Sequence, residues 1–142
     1  MILYLDTSSL VKLYVAEEGS SEVRNLVDRA GVVSTSVVAL PEARAAFARL
    51  AREGTLTPEQ FASVRRGFLR DWESLFKIRM LKRVYERAGD LAEEHALCGF
   101  DALHLASFLE LLAQAEGEEV EFSAFDARLN AAVAAERAER RS

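Results

Sequence analysis

The chain has 142 residues, half of them hydrophobic, and carries 18 lysines and arginines against 23 acids, a formal net charge of −5. This length suits about one domain, and two prolines and seven glycines are too few for a disordered chain. The charge argues against indiscriminate binding to nucleic acid, and the single cysteine, Cys98, excludes an internal disulfide and is predicted to be a small core residue.

The N-terminal third alternates between strand and helix patterns. Ile2-Leu3-Tyr4-Leu5 is apolar without alternation, which predicts a central strand covered on both faces. Thr7-Ser8-Ser9 then favour a helix start, and a second helix over residues 21–29 ends before Gly31. Val32-Val33 begin a second strand. No basic leader precedes the first strand and no apolar run spans a bilayer, so we expect a soluble, cytoplasmic protein without membrane attachment.

The middle of the chain is helical and basic. Apolar spacing predicts a helix over residues 38–52, with Pro41 in its first turn, where its missing N–H costs little. Thr57-Pro58-Glu59-Gln60 resembles a capping box that opens the next helix, and residues 75–80 are ambiguous between strand and loop. Residues 43–87 hold 11 basic and five acidic side chains, a balance of +6 that leaves −11 elsewhere. Such a segment either steers a phosphate backbone or forms solvated helix faces.

The C-terminal part repeats the alternation. A helix is predicted over residues 81–96, and Asp101 opens another. Residues 120–125 read as a strand that leads to Asp126, and a last helix runs from 127 to about 138. Strands at both ends of the chain with helices between them predict an α/β sandwich with a mainly parallel sheet.

Four acids stand at or near predicted helix starts: Asp6, Glu42, Asp101 and Asp126. Taken singly, each is explained by helix capping or by the helix dipole. Ligands of parallel sheets collect outside the carboxyl ends of the strands, where Asp6 and Asp126 are expected. Carboxylates about 4 Å apart repel by about 4 kcal/mol at a protein surface, whereas Mg²⁺ or Mn²⁺ favours such oxygen ligands. The combination therefore indicates a metal site.

Several segments together resemble one known family: Leu5 to Tyr14, Glu42, Phe100 to Ala106, and Phe125 to Leu129. They are similar, in the right order over nearly the whole chain, to the PIN domain of VapC-type toxin ribonucleases. The resemblance implies a single PIN domain over residues 1–142, a three-layer α/β/α sandwich with four to five strands. It also implies an acidic pocket that binds Mg²⁺ or Mn²⁺ and cuts RNA, a homodimer, and inhibition by a small cognate antitoxin of a type II toxin–antitoxin system.

The same acids receive roles as a hypothesis. Asp6, Glu42 and Asp101 hold one cation, and Asp126 helps to place a second ion or its waters, so that water hydrolyses a phosphodiester bond to leave a 5′-phosphate and a 3′-hydroxyl. Ser8 is predicted to orient a carboxylate. His104 is interpreted as a packed or hydrogen-bonded core histidine rather than an acid or base.

Two features leave alternatives open. The family often has Thr or Ser two residues before the last acid, where this chain has Ala124, and Ser123 is predicted to face the other side of the strand. A catalytically degenerate PIN module that acts through protein or RNA binding is therefore one alternative. A phosphoacceptor receiver domain is another, although it needs an acidic pair after its first strand, and Asp6 stands alone.

Overall fold

A computed structural model describes all residues 1–142 as four strands and seven helices. In chain order these elements are β1 (Ile2–Leu5), α1 (Thr7–Val11), α2 (Ser20–Arg29), β2 (Val32–Ser36), α3 (Ala39–Arg52), α4 (Pro58–Trp72), β3 (Phe76–Ile78), α5 (Lys82–His95), α6 (Gly99–Gln114), β4 (Val120–Ser123) and α7 (Ala127–Arg141).

The sheet is fully parallel, with the strand order β3-β2-β1-β4. Strand β1 pairs with β2 on one side, where Leu3 opposes Val33, and with β4 on the other, where Leu5 opposes Ser123. Parallel strands need crossover connections, and the helices between the strands supply them. The predicted α/β class is confirmed, and the sheet has four strands, the lower of the two numbers expected.

Two hydrophobic clusters cover the two faces of the sheet. Leu3 and Leu5 pack with side chains of α1, α2, α3 and α4, whereas Tyr4 packs with side chains of α5, α6 and α7. Successive strand residues point to opposite faces, so β1 needs apolar side chains throughout. This is why its sequence is apolar without alternation, and it gives the three-layer α/β/α sandwich.

The local signals in the sequence match most helix ends. The capping box at α4 forms in both directions, because the Thr57 hydroxyl accepts from the Gln60 N–H at 3.1 Å and the Gln60 side chain accepts from the Thr57 N–H at 2.9 Å. The ambiguous stretch at 75–80 contains β3, which pairs with β2.

No single helix is long and apolar enough to cross a membrane, although α5 and α6, joined at a sharp bend, together pass that test of length and composition.

Three expectations need correction. Cys98 is exposed rather than part of the core, because it is the residue that precedes the first turn of α6. Asp101 does not open that helix but lies within its first turn, since α6 begins at Gly99. Helix α7 continues to Arg141 rather than to about residue 138, because no glycine or proline interrupts the charged end.

Phe68 provides a test of the core on the α1–α4 side. Its ring is fully buried and lies 5.5 Å, centroid to centroid, from both Tyr14 and Phe47. We expect Phe68→Ala to lower the free energy of unfolding by about 3–5 kcal/mol, because it removes apolar contacts and leaves a cavity. Phe100→Ala is the matched control, because Phe100 is 51% exposed. Urea unfolding followed by circular dichroism measures both, and equal losses would contradict the packing described here.

Candidate metal-binding active site

The candidate site lies at the carboxyl edge of the sheet. Asp6 directly follows β1, and its backbone N–H donates to the Ser123 carbonyl at the end of β4, at 3.1 Å. Asp126 follows β4 after two further residues and precedes α7. The β1–β4 pairing therefore brings the chain segments that carry Asp6 and Asp126 side by side, as the sequence predicts.

Asp6 is the most buried of the four acids, with 4% exposure. Its Oδ1 accepts from the Ser9 N–H at 2.9 Å, so it is the N-cap of α1, and the Ser8 hydroxyl lies 2.8 Å from Oδ1 and 3.0 Å from Oδ2. Burial raises the pKa of the Asp6 carboxyl, and the bonds from Ser9 and Ser8 oppose that rise. Capping and metal binding do not exclude each other here, because no backbone N–H occupies Oδ2.

Glu42 lies in the first turn of α3, and two side chains hold its carboxylate. Its Oε1 accepts from the Thr7 hydroxyl at 2.6 Å and lies 2.9 Å from Nε2 of His104. Thr7 Oγ1 is also 2.9 Å from the same His104 nitrogen. Three elements, α1, α3 and α6, therefore meet at this one carboxylate oxygen.

His104 connects Glu42 to the core beneath the site. Its ring is 1% exposed, and Nδ1 lies 2.8 Å from the hydroxyl of Tyr4, whose side chain is completely buried. Burial raises the pKa of Tyr4 well above its usual value, so the phenol stays neutral. Both ring nitrogens have partners, which fixes the orientation of the ring. His104 is the hydrogen-bonded core histidine that the sequence predicts, but its contact with Glu42 is not foreseeable from spacing.

The other two acids are more accessible. Asp101 is half-buried in the first turn of α6, and His104 follows three residues later, on the same face of the helix. Asp126 is exposed and is the N-cap of α7, because its Oδ1 accepts from the Leu129 N–H at 2.8 Å. Ser123 bonds to Ser9 at 2.9 Å, while Ala124 packs with the α5–α7 cluster, so the two lie on opposite faces, as expected.

The four acids share an edge, but they do not form a closed set of ligands. No three of them have carboxylate oxygens that all lie within 4.8 Å of one another. None forms an ion pair with lysine or arginine, and His104 beside Glu42 is the one ionisable partner among them. Uncompensated carboxylate oxygens suit Mg²⁺ or Mn²⁺, which keep several waters and so need few direct protein contacts.

A cleft of about 560 Å³ begins at this edge. Thr7, Ser8 and Glu42 line one part of it, and Arg49 and Arg52, about two and nearly three turns further along α3, line another. Arg49 makes only a long contact of 3.9 Å with the exposed Glu53, and Arg52 makes no ion pair. The basic middle of the sequence thus places two available guanidinium groups beside the acidic edge.

One further ligand set lies elsewhere. Glu94 and His95 at the end of α5 and Glu136 of α7 have ligand atoms that all lie within 4.8 Å of one another. None of these three was predicted as a site residue, because residues on separate helices carry no common spacing in the sequence.

Comparison with known proteins identifies relatives of most of the chain. A family model described as PIN domain matches residues 3–132. Two relatives from Mycobacterium tuberculosis, Ribonuclease VapC45 of strain CDC 1551 / Oshkosh and Ribonuclease VapC49 of strain ATCC 25618 / H37Rv, are each 40% identical over 108 residues. Those residues are 76% of this chain and 75% of each relative.

Two solved structures share the fold. Mycobacterium tuberculosis VapC20, a sarcin-ricin loop cleaving toxin, superposes with a TM-score of 0.64 at 19% identity, covering 92% of this chain and 94% of that one. VapBC2 from Rickettsia felis, bound to a DNA fragment from its promoter, gives a TM-score of 0.55 at 16% identity, covering 87% of this chain and 100% of the other.

The raised pKa of Asp6 generates a prediction about stability without divalent ions. A carboxyl with a raised folded-state pKa contributes stability below its ordinary pKa and loses it as pH rises through the raised value. We therefore expect Asp6→Asn to unfold at a higher temperature than the parent at pH 7 in EDTA, with the gap closing as pH falls from the raised pKa to the ordinary value of 3.8. Each unit of pKa shift corresponds to about 1.4 kcal/mol.

Thermal unfolding from pH 3 to pH 8 measures this difference. Asp90→Asn is the matched control, because Asp90 is exposed on α5. An Asp6→Asn protein that is less stable than the parent at neutral pH would show that the cap, not the buried charge, dominates.

Proposed function

This chain belongs to the PIN-domain family, and on that premise we propose that it is the toxin of a VapC-type toxin–antitoxin pair. It is an endoribonuclease that hydrolyses RNA phosphodiester bonds, and residues 1–142 form its single PIN domain. The relatives at 40% identity, which carry the name ribonuclease, support the activity. The observation that carries the assignment of the site is the row of acids without lysine or arginine partners at the carboxyl edge of the sheet.

The side chains at that edge have different proposed roles. Asp6, Glu42 and Asp101 are the proposed ligands of a Mg²⁺ or Mn²⁺ ion, and Asp126 helps to place a second ion or the waters around it. Ser8 holds the Asp6 carboxylate by its short hydrogen bond of 2.8 Å, which limits the rotation of that side chain. When bound, such ions activate water and stabilise the leaving oxygen of an in-line displacement.

His104 and Thr7 act on Glu42 in this scheme. Both contact Oε1, at 2.9 and 2.6 Å, so that oxygen is held in one position and Oε2 is left for the ion. Neither group needs to transfer a proton to the RNA. The scheme leaves a 5′-phosphate and a 3′-hydroxyl, and the ribose 2′-hydroxyl takes no part in the displacement.

RNA reaches the edge through the cleft that Arg49 and Arg52 line. Guanidinium groups bind phosphate oxygens in two-point contacts, and they offset the charge that the acids present to a polyanion. The net charge of −5 opposes general nucleic-acid binding. We therefore expect RNA to bind at the basic wall, the part of the cleft that Arg49 and Arg52 line.

The proposed partners are a second copy of the chain and a small antitoxin. The structure of VapBC2 from Rickettsia felis supports a protein partner for this fold. The competing function is a degenerate PIN module that binds RNA or protein without cutting. All four acids are retained, which favours the nuclease.

Removal of single acids tests the proposed site. We expect Asp6→Asn and Asp101→Asn each to lower Mn²⁺-dependent cleavage of an RNA library by at least about 100-fold, because even groups that only support metal ligands contribute about 10–100-fold. Sequencing of the fragments checks that they carry 5′-phosphates. The exposed Asp90→Asn protein should cut normally, and undiminished cleavage by Asp6→Asn would refute the assignment.

The basic wall is tested separately. Arg49→Ala combined with Arg52→Ala should weaken binding of single-stranded RNA, measured by fluorescence anisotropy with EDTA. The slope of log binding constant against log salt concentration should also become less steep, by the amount expected for the loss of about two phosphate contacts. The unfolding temperature should change little, because Arg49 and Arg52 do not lie in the core. Arg140→Ala with Arg141→Ala removes the same charge at the exposed end of α7, and an equal effect there would mean that only net charge matters.

A further inference from the structure

Glu94, His95 and Glu136 meet where the last turn of α5 packs against α7. Nε2 of His95 lies 3.7 Å from Oε2 of Glu136 and 3.9 Å from Oε1 of Glu94. Both separations are too long for hydrogen bonds, which lie at about 2.7–3.2 Å. The three side chains converge without bonding to one another.

One buried polar atom at this point lacks the partner that such atoms normally have, while the Glu94 side chain is exposed. Nε2 of His95 is buried and has no hydrogen-bond partner. The Glu136 side chain is only 9% exposed, and its one ion-pair contact within 4.0 Å is the long one to His95. Buried polar groups are satisfied in the great majority of cases. A buried, unpartnered nitrogen that faces a buried carboxylate is an arrangement that can supply two ligands to one cation.

The electrostatics agree with that geometry. Burial raises the pKa of Glu136, and the nearby carboxylates Glu94 and Glu139 raise it further, while His95 opposes them. Arg137, the next residue on α7, points away and donates to the carbonyl of Val120 at 3.0 Å. Neither Glu94 nor Glu136 forms an ion pair with a lysine or an arginine.

The donor set selects the kind of cation. One imidazole nitrogen with two carboxylate oxygens suits Zn²⁺ and similar transition ions, whereas Mg²⁺ and Ca²⁺ favour oxygen alone. Two ligand atoms at about 2.0–2.2 Å from one Zn²⁺ lie at most about 4.4 Å from each other. The two separations from His95 Nε2, 3.7 and 3.9 Å, are within that limit, and the two carboxylates lie within 4.8 Å of each other.

We propose that Glu94, His95 and Glu136 form a second metal site, specific for Zn²⁺-like transition ions, that fastens the end of α5 to α7. The site is separate from the acidic edge of the sheet and does not depend on the ribonuclease assignment. It has a structural consequence, because residues 96–98 connect α5 directly to α6, which carries Asp101. The Arg128 side chain of α7 already donates to the Ala96 carbonyl at 3.1 Å, and a metal would add a stronger link at the same junction.

The proposal is tested by metal titration of a protein in which two acids at the edge of the sheet have been replaced by amides. The parent for this experiment carries Asp6→Asn and Asp101→Asn, and Cys98→Ser removes the exposed thiol. Zn²⁺ binding is followed by calorimetry, Co²⁺ binding by visible absorption, and the unfolding temperature by circular dichroism. We expect one Zn²⁺ per chain, a higher unfolding temperature with Zn²⁺, and little response to Mg²⁺.

Single substitutions then locate the ion. His95→Gln and Glu136→Gln should each weaken Zn²⁺ binding at least about tenfold and abolish the rise in unfolding temperature. Glu93→Gln makes the same chemical change as Glu136→Gln at an exposed neighbour, and it should leave Zn²⁺ binding and the rise in unfolding temperature intact. Because His95 lies at the end of its helix, His95→Gln decides the matter even if Glu136→Gln fails to fold. No Zn²⁺ binding by the parent, or equal binding by His95→Gln and Glu93→Gln, would overturn the proposal.

Discussion

Strand β1 pairs with another strand along each of its edges and packs against a hydrophobic cluster on each of its faces. Each candidate ligand is positioned with respect to the residue where this strand ends. The strand ends at Leu5, and Asp6, the next residue, belongs to neither hydrophobic cluster. The chain leaves the sheet there, α1 begins, and Asp6 remains at 4% exposure with its charge uncompensated by lysine or arginine. Burial of a carboxylate is costly unless something pairs with it, and the proposed ion supplies that partner.

A hydrogen-bonded path runs from the core to the acidic edge. The hydroxyl of Tyr4, from the middle of β1, contacts His104 at 2.8 Å, and His104 contacts Glu42 at 2.9 Å. The path joins the two sides of the sheet, because Tyr4 and α6 belong to one cluster and α3 belongs to the other. The position of Glu42 is thus set by packed groups rather than by a surface loop, which suits a ligand that must stay in place while substrate enters.

The sequence predicts the local features well and the contacts between distant elements poorly. The bounds of β1, the capping box at Thr57 and the strand before Asp126 follow from short-range patterns. The ambiguity of residues 75–80 ends only when β3 pairs with β2, a contact between segments some forty residues apart. The exposure of Cys98 and the contact between His104 and Glu42 could not be predicted for one reason. Periodicity indicates which face of a helix is apolar, but not what lies against it. The convergence of Glu94, His95 and Glu136 also depends on how α5 and α7 pack.

The strand order has a consequence for synthesis of the protein on the ribosome. The central strand is among the first segments made, yet its β4 neighbour comes near the end of the chain. Pairings of such high sequence separation form late in folding, and domains of growing chains fold as units. Asp6 and Asp126 cannot come together until nearly all of the polypeptide has emerged, so the proposed nuclease site is not assembled while the chain is still being made.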